Sequence, residues 1–303
     1  MNKKMNRPYK WQGSKLLAIT LMVLVPALSM AQDQSFSELI QSARDAGIEQ
    51  SRLADLQSRT AGNGITDQQL AGIIGPAIAL AEQNLPSEMI FQKAMEGIAK
   101  GIPTERLQPV LQNLQRSTIS TVAIVDPWVA RSDVAQMMRR SGEQVGNQAF
   151  RNELLKAGSK AMAGNVSPES LQGLFEAIGQ EITLSRSKPS GIVAAVNIFP
   201  DLPSTARQPE ASGAAIAKAL QSGFEAGDMQ KLPGAMNAAQ RRSQLPAAAV
   251  IEGIAGQMVQ GTLAAQILQN LFNGNIGGGP PGSSTPGLGD RPGQGGPGGY
   301  GVP

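Results

Sequence analysis

Three acidic residues, Glu169, Glu176 and Glu181, form the arrangement in this sequence that is closest to a catalytic group. Two carboxyl groups hydrolyse a glycosidic bond without histidine when one acts as general acid and the other as base or nucleophile. The spacings of seven and five residues place the three only partly on one helix face. The alternative is a solvated helix face, since charged residues usually lie outside. A carboxylate-based hydrolase acting on cell-wall glycan is therefore our second functional hypothesis.

A Ser-x-x-Lys string, the nucleophile motif of penicillin-recognising enzymes, occurs at Ser185-Arg186-Ser187-Lys188. In those enzymes the motif opens a helix and is accompanied by Ser-Asp-Asn and Lys-Thr-Gly, and neither string occurs here. Pro189 follows directly and disfavours helical backbone at Lys188. We interpret the string as a chance match at a solvated helix end.

The chain contains no histidine and no cysteine. The missing histidine removes the commonest general base, the Ser-His-Asp and Cys-His arrangements and most zinc sites. The missing cysteine removes thiol chemistry, iron–sulfur ligation and disulfides. No Gly-x-Gly-x-x-Gly follows a predicted strand, and no Gly-x-x-x-x-Gly-Lys-Ser/Thr loop occurs. We therefore predict no catalytic, cofactor-binding or metal-binding residues and no cofactor.

Residues 1–31 have the pattern of a secretory signal. Five basic residues and no acid lie in the first fifteen positions, an apolar run covers 16–25, and Ser29-Met30-Ala31 offers small residues to a signal peptidase. Ten apolar residues span only about 15 Å as a helix, which is too short for a bilayer core. We expect cleavage after Ala31, export to the periplasm or beyond, and no transmembrane segment in the mature chain.

Loss of the signal also changes the charge balance. The full chain has 26 basic and 23 acidic residues, and removing the five bases of the signal leaves 21 against 23. A basic patch for nucleic acid loses its support, because the positive net charge belongs to the discarded segment. The expected partner is instead an envelope protein or a cell-wall component.

The remaining sequence is typical of short helices joined by tight turns. One seven-residue pattern consists of a small residue, an aliphatic residue, a helix-starting pair, two mostly polar residues and an aliphatic residue, usually Leu. It recurs from Gly47, Gly64, Asn84 and Gly101, at intervals of 17, 20 and 17 residues. These intervals predict a two-helix unit of 37 residues, although any protein of short helices has loops at similar spacing. Ser, Thr or Pro near the third position of each copy starts a helix, and Thr66 with Gln69 forms a capping-box pair.

The apolar offsets of the pattern predict the buried positions. From a start, offsets 1, 6, 9 and 10 are apolar. The last three share one helix face, and the first precedes the cap and can pack back onto the next turn. These positions are Ile65, Leu70, Ile73 and Ile74; Ile102, Leu107, Val110 and Leu111; and Val166, Leu171, Leu174 and Phe175.

Further helix starts follow from local signals. Weaker copies of the pattern begin at Gly227, Gln244 and Gly261. Asp126-Pro127-Trp128 predicts a helix start, with that helix running to about Arg140, and another helix is predicted over about 146–161.

The sequence thus predicts an all-α fold of short antiparallel helix pairs, arranged as a solenoid or an irregular bundle. Residues 32–185 form the N-terminal helical repeat region and 213–273 the C-terminal helical region. A Pro/Ser-rich loop covers 186–212, and its apolar segment 191–199 is a strand, a short helix or, as we favour, a loop segment docked on the core. Residues 274–303 hold 13 Gly and 6 Pro and are predicted to be a disordered tail. Our first functional hypothesis is an exported, non-enzymatic binding or scaffold protein of the cell envelope.

Overall fold

A computed structural model describes residues 36–202 and 209–277. The predicted signal, 1–31, and the greater part of the predicted tail, 278–303, lie outside these residues. Within them the chain forms α-helices, one 3-10 turn at Phe199–Asp201 and no strand, so the all-α prediction is correct. The helices are α1 (Phe36–Asp45), α2 (Gln50–Gly62), α3 (Asp67–Ala81), α4 (Glu88–Ala99), α5 (Thr104–Val129), α6 (Ser132–Arg140), α7 (Asn147–Ala163), α8 (Pro168–Ile178), α9 (Glu181–Arg186), α10 (Pro189–Ile198), α11 (Pro209–Gln221), α12 (Ala226–Ser243), α13 (Ala247–Val259) and α14 (Ala264–Asn273).

The helices pack in two layers. In the first layer each helix contacts the next in the order α1, α3, α5, α7, α10, α12, α14. The second layer holds α2 against α4, and further along it holds α8, α9 and α13 against α11. Apolar stripes meet between the layers and form one continuous hydrophobic core. Helices α1 and α14 are therefore the two ends of the first layer.

Left-handed backbone conformation marks the helix turns. Gly47, Gly64, Asn84, Gly101 and Asn165 all have φ between 55° and 82°, a region that glycine and asparagine tolerate best. Each of these residues follows a helix C-terminus, where one such residue reverses the chain. These are the positions at which the sequence pattern begins. The 37-residue unit itself stays a prediction, because turns of this kind end many helices.

One predicted turn is displaced. The left-handed residue that precedes α12 is Gly223, with φ 84°, and Gly227 lies inside the first turn of that helix. The predicted start at Gly227 is therefore wrong by four residues. The starts at Gln244 and Gly261 do fall at left-handed residues, with φ 57° and 74°.

The helix caps follow the sequence signals closely. The Thr66 hydroxyl accepts from the Gln69 backbone N–H at 3.3 Å, and the Gln69 side-chain oxygen accepts from the Thr66 N–H at 3.0 Å. This reciprocal pair is the predicted capping box. The Ser167 hydroxyl likewise accepts from the Ser170 N–H at 3.1 Å, with Pro168 as the first helical residue.

Helix α5 corrects the predicted start at Asp126-Pro127-Trp128. These residues lie inside the last turn of a 26-residue helix, and the break falls after Val129, before α6. Pro127 cannot donate to the carbonyl four residues before it, so it weakens the last turn of α5, and the helix ends two residues later. The Trp128 indole is 6% exposed and donates to the Phe175 carbonyl oxygen at 2.9 Å. This bond ties the end of α5 to α8.

Helix α5 buries a narrow stripe with alternating spacings of three and four residues. The stripe is Thr104, Leu107, Leu111, Leu114, Thr118, Thr121, Val125 and Trp128. Val110 lies off this stripe and is 46% exposed, so its predicted place in the core is wrong. Because the buried residues of the stripe recur every 3.5 residues on average, the stripe is narrower than the i, i+3, i+4 face that the repeat pattern predicts.

Small residues bring α5 and α7 close together. A Cβ added to Gly158 of α7 would lie 2.6 Å from the Thr121 Cγ2 atom of α5. The Thr121 and Ser159 hydroxyls are buried and donate to carbonyl oxygens one turn back in their own helices. Their polar atoms are thus satisfied within each helix, which leaves the apolar atoms to pack across the contact.

The predicted loop 186–212 is corrected by helix α10. Pro189 is its first residue, where a missing N–H costs nothing, and the Glu143 carboxylate accepts from the Ser190 N–H at 3.0 Å. The helix is apolar on nearly all sides because it lies between α7 and α12 in the first layer. The C-terminal helical region also begins earlier than residue 213, since α11 starts at Pro209.

The chain stays packed for a few residues after α14. Gly274 ends that helix with φ 82°, and Ile276 is 7% exposed. The predicted tail boundary at residue 274 is therefore too early, because Ile276 still belongs to the core. None of the helices in the described ranges combines the length and hydrophobicity needed to cross a membrane.

Candidate interaction surface

The structure places the three candidate carboxylates at exposed positions of two consecutive helices. Glu169, Glu176 and Glu181 are all exposed, the first two on α8 and the third at the start of α9. Glu176 accepts a hydrogen bond from Gln172 at 2.8 Å. Hydrogen bonds from its own backbone N–H and from Ser167 lower the pKa of Glu169. A general acid needs a raised pKa, so Glu169 does not have the character that glycoside hydrolysis requires.

The Ser-x-x-Lys string is also structural. The Ser185 hydroxyl donates to the Ile182 carbonyl oxygen at 2.8 Å, and Lys188 precedes α10 with its ammonium 2.6 Å from the Glu225 carboxylate. The hydrogen bond to Glu225 raises the pKa of Lys188. Activation of a serine nucleophile needs a neutral amine, which a raised pKa disfavours. The residues described by the structure also contain no group of three acidic side chains placed to hold a metal ion.

The most connected charge cluster links three helices. Glu88 of α4 lies 3.3 Å from Arg52 of α2 and 3.1 Å from Lys156 of α7. The hydrogen bond from Lys156 lowers the pKa of Glu88. Lys156 also pairs with Glu153 of its own helix at 3.0 Å. Each charge has an opposite partner, so the cluster fastens α2, α4 and α7 and presents no free acid or base.

The concave features of the described surface are shallow. One depression of about 670 Å³ lies by α1 and the end of α3 and is lined by Glu38, Asp45 and Glu82 among others. A second, of about 460 Å³, follows the outer side of α12 at Gly234, Asn237 and Arg241. Both open widely to solvent, whereas small-molecule sites bury most of the ligand. Neither of these two depressions would enclose a small molecule.

Exposed hydrophobic residues occur at the C-terminal helices, α13 of the second layer and α14 of the first. Val259 at the end of α13 is 79% exposed, and Leu263 before α14 is 73% exposed. These are the two most exposed large hydrophobic residues in the described ranges. Phe272 on the outer side of α14 is 41% exposed. These three residues make the last two helices of the described chain a candidate interaction surface.

The local sequence explains this arrangement. Ile267, Leu268 and Leu271 of α14 are buried against α12 and α13. The opposite side of the helix carries Ala265, Gln266, Gln269 and Phe272, and no further helix of the described chain covers it. We call Val259, Leu263, Ala265, Gln266, Gln269 and Phe272 the C-terminal surface.

The C-terminal surface is almost free of charge. Between Gln244 and Gly277 the only ionisable side chain is that of Glu252. The helix at the other end of the layer, α1, exposes Glu38, Arg44 and Asp45. The end units of stacked-helix proteins normally carry a polar outer face, which keeps them soluble. Helix α1 follows this rule, and α14 departs from it.

A buried polar clamp holds the C-terminal surface in place. Gln257 of α13 is fully buried, accepts from the Asn270 side chain at 2.7 Å and donates to the Ile276 carbonyl oxygen at 3.3 Å. Gly253 leaves room for the segment that follows α14, because a Cβ there would lie 2.4 Å from the Ile276 carbonyl oxygen. The clamp fixes α14 and the residues after it against α13.

The sequence prediction did not include Val259, Leu263 or Phe272. One signal for them was present, since charged residues almost cease after Arg242. The pattern alone did not separate exposed from buried apolar residues here, because a region this apolar is equally typical of a core.

Comparison with protein families, curated proteins and solved structures finds no match.

Proposed function

We propose that this chain is an exported, non-enzymatic binding or scaffold protein of the cell envelope. The observation that carries the proposal is the C-terminal surface, an uncharged and apolar end on a rigid stack of helices. The predicted signal at 1–31 supports export, and the slightly acidic mature chain argues against nucleic acid as partner.

The partner that fits the C-terminal surface is a protein. Leu263 and Phe272 supply apolar contact, and Gln266 and Gln269 supply amides that donate and accept hydrogen bonds. An anionic lipid surface would favour several basic residues, and the C-terminal surface has none among its named positions, with Arg242 beside Gly274 at the end of α14 as a single basic neighbour. The alternative of a glycan hydrolase gains no support, because Glu169, Glu176 and Glu181 are exposed and the pKa of Glu169 is lowered.

Capture from the envelope fraction tests the proposal with a matched pair of variants. Leu263→Asp places a charge in the C-terminal surface, and since Leu263 precedes the first turn of α14, aspartate there is also a favourable helix cap. Ile182→Asp is the control, because Ile182 is 58% exposed and lies in the first turn of α9, away from that surface.

We expect the wild-type chain and Ile182→Asp to retain the same envelope proteins, and Leu263→Asp to lose them. Equal retention by all three chains, with circular dichroism showing that each is folded, would exclude the C-terminal surface as the binding site. Export is checked separately by the N-terminal residue of the mature chain, which we expect to be Gln32.

A further inference from the structure

Two Asn-Gly pairs occur in the chain, Asn63-Gly64 and Asn273-Gly274. Asparagine is chemically labile, and it is most labile before glycine, whose nitrogen is not shielded by a side chain and whose backbone rotates freely. The first pair lies directly after α2 and the second lies at the end of α14. The dipeptide chemistry is the same at both places, so a difference in reactivity between them must come from the fold.

The turn that contains Asn63 is exposed to solvent. Residues 61–64 are all exposed, and a Cβ placed on Gly64 would meet nothing within 4 Å. The Gly64 nitrogen lies 3.5 Å from the Ala61 carbonyl oxygen, at the outer limit of a hydrogen bond. The Asn63 side chain donates to the Arg59 carbonyl oxygen at 2.7 Å, an exposed hydrogen bond that water can replace. Opening of the turn at these two residues therefore costs little free energy.

The second pair, Asn273-Gly274, is held more firmly. The Gly274 nitrogen lies 3.0 Å from the Leu271 carbonyl oxygen, so its hydrogen bond is shorter than that of Gly64. A Cβ on Gly274 would lie 2.8 Å from the Cβ of Arg242, which packs this glycine against α12. Two residues later, Ile276 is buried in the core. Opening of the chain at Gly274 must therefore detach packed residues, and its free-energy cost is higher.

We propose that Asn63 is a site of spontaneous deamidation in the folded protein, and that the packing around Gly274 protects Asn273. The Gly64 nitrogen loses its proton and attacks the Asn63 Cγ atom, the new N–C bond closes a succinimide ring, and the side-chain nitrogen leaves as ammonia. Water then opens the ring. Cleavage at Cγ gives aspartate, and cleavage at the backbone carbonyl carbon gives isoaspartate, in which the chain continues through Cβ and Cγ. Water is the only co-reactant, so this inference is independent of the proposed function.

Either product loosens the end of α2. An aspartate at position 63 cannot donate to the Arg59 carbonyl oxygen, and its negative charge is unfavourable at a helix C-terminus. Isoaspartate adds a backbone atom before Gly64, which displaces the Ile65 nitrogen from the Thr60 carbonyl oxygen, now 3.2 Å away. In both cases the count of 23 acidic residues rises by one. The reaction thus changes the charge of the chain and the hydrogen bonds of the turn between α2 and α3.

Mass spectrometry of the purified mature chain, kept in mildly alkaline buffer and then digested, measures both asparagines in the same sample. We expect Asn63 of the folded chain to convert at least about tenfold faster than Asn273, because the two turns differ in the free energy of opening. In urea above the unfolding transition the two rates should become similar, which assigns the difference to the fold. Equal rates in the folded chain, or conversion of Asn63 in urea alone, would overturn the proposal.

Two variants separate reactivity from protection. Asn63→Ser removes the reactive amide and should leave conversion of Asn273 unchanged. Ile276→Ala loosens the segment after α14 and should accelerate conversion of Asn273 alone, and an unchanged rate there would refute protection by packing. Hydrogen exchange at 60–65 should be faster in the aged wild-type chain than in the fresh one, and Asn63→Ser aged in the same way should show no such change. Equal exchange in aged and fresh wild type would refute the loosening of α2.

Discussion

Substitution of Gly158 by alanine tests the close contact of α5 and α7. In an open helix position this change stabilises by up to about 1 kcal/mol, because alanine favours helix more than glycine does. At Gly158 the added Cβ would lie 2.6 Å from Thr121 Cγ2 and 3.3 Å from Leu171 Cδ2. Thr121 is fully buried, β-branched, and fixed by its hydrogen bond to the Ser117 carbonyl oxygen at 2.7 Å. The methyl group therefore does not move aside at low cost.

Overpacking of a core contact costs about 1–3 kcal/mol, which exceeds the gain in helix propensity. We expect Gly158→Ala to lower the free energy of unfolding by about 1–2 kcal/mol in urea denaturation. The control is Gly234→Ala in α12, where an added Cβ meets nothing within 4 Å and should stabilise. Thr121→Ser removes Cγ2 and keeps the hydroxyl, so it should relieve the cost of Gly158→Ala in the double variant. A stabilised Gly158→Ala chain would refute the close contact.

Three further predictions concern the core, the charge cluster around Glu88 and the segment that follows α14. Leu107→Ala should cost about 2–5 kcal/mol in urea denaturation because Leu107 is 2% exposed, while Val110→Ala should change the midpoint little; similar effects at both would refute the α5 stripe. The folded-state pKa of Glu88 is lowered by Lys156, so its stabilisation is present above the unfolded pKa of about 4.3 and is lost as pH falls through the folded value. Glu88→Gln should therefore have a lower free energy of unfolding than the wild-type chain at neutral pH, and this difference should shrink as the pH falls. A difference that stays constant with pH would contradict the charge assignment. Ile276→Ala should lower the thermal midpoint because Ile276 is buried over Gly253, and an unchanged midpoint would place 274–277 outside the packed chain.

Local signals predicted most of the helix turns correctly. Turn glycines, the Thr66–Gln69 cap and the proline at the start of α8 act through interactions within a few residues, which a sequence displays directly. The same local rules placed Thr104 near a helix start, where α5 begins. They also predicted the all-α class, because helix caps and apolar residues at helical spacing recur along the chain.

The errors arose where distant residues decide the structure. Helix α10 is stabilised at its start by Glu143, 47 positions before Ser190, and is buried between two helices that the sequence does not show as neighbours. Pro127 reads locally as a helix start, yet α5 runs through it. Asp126 there accepts two hydrogen bonds from Arg151 of α7, at 2.6 and 2.9 Å.

The C-terminal surface was missed for the same kind of reason. Leu263 and Leu268 are the same residue type five positions apart, but one is 73% exposed and the other 4%. Only the packing order reveals that α14 ends its layer and has no neighbour on its outer side. The loss of charge after Arg242 is visible in the sequence. It points to an exposed surface only once α14 is known to lie at the end of its layer.

Site-specific photo-cross-linking in intact cells tests the central claim most directly. A photoreactive amino acid at Gln266, within the C-terminal surface, should yield discrete protein adducts on irradiation, and the same group at the exposed position Ser120 should yield none. Adducts at Gln266 that disappear in the Leu263→Asp background are the result that our account predicts. No adducts at Gln266, or the same adducts at both positions, would contradict a binding role for the C-terminal surface.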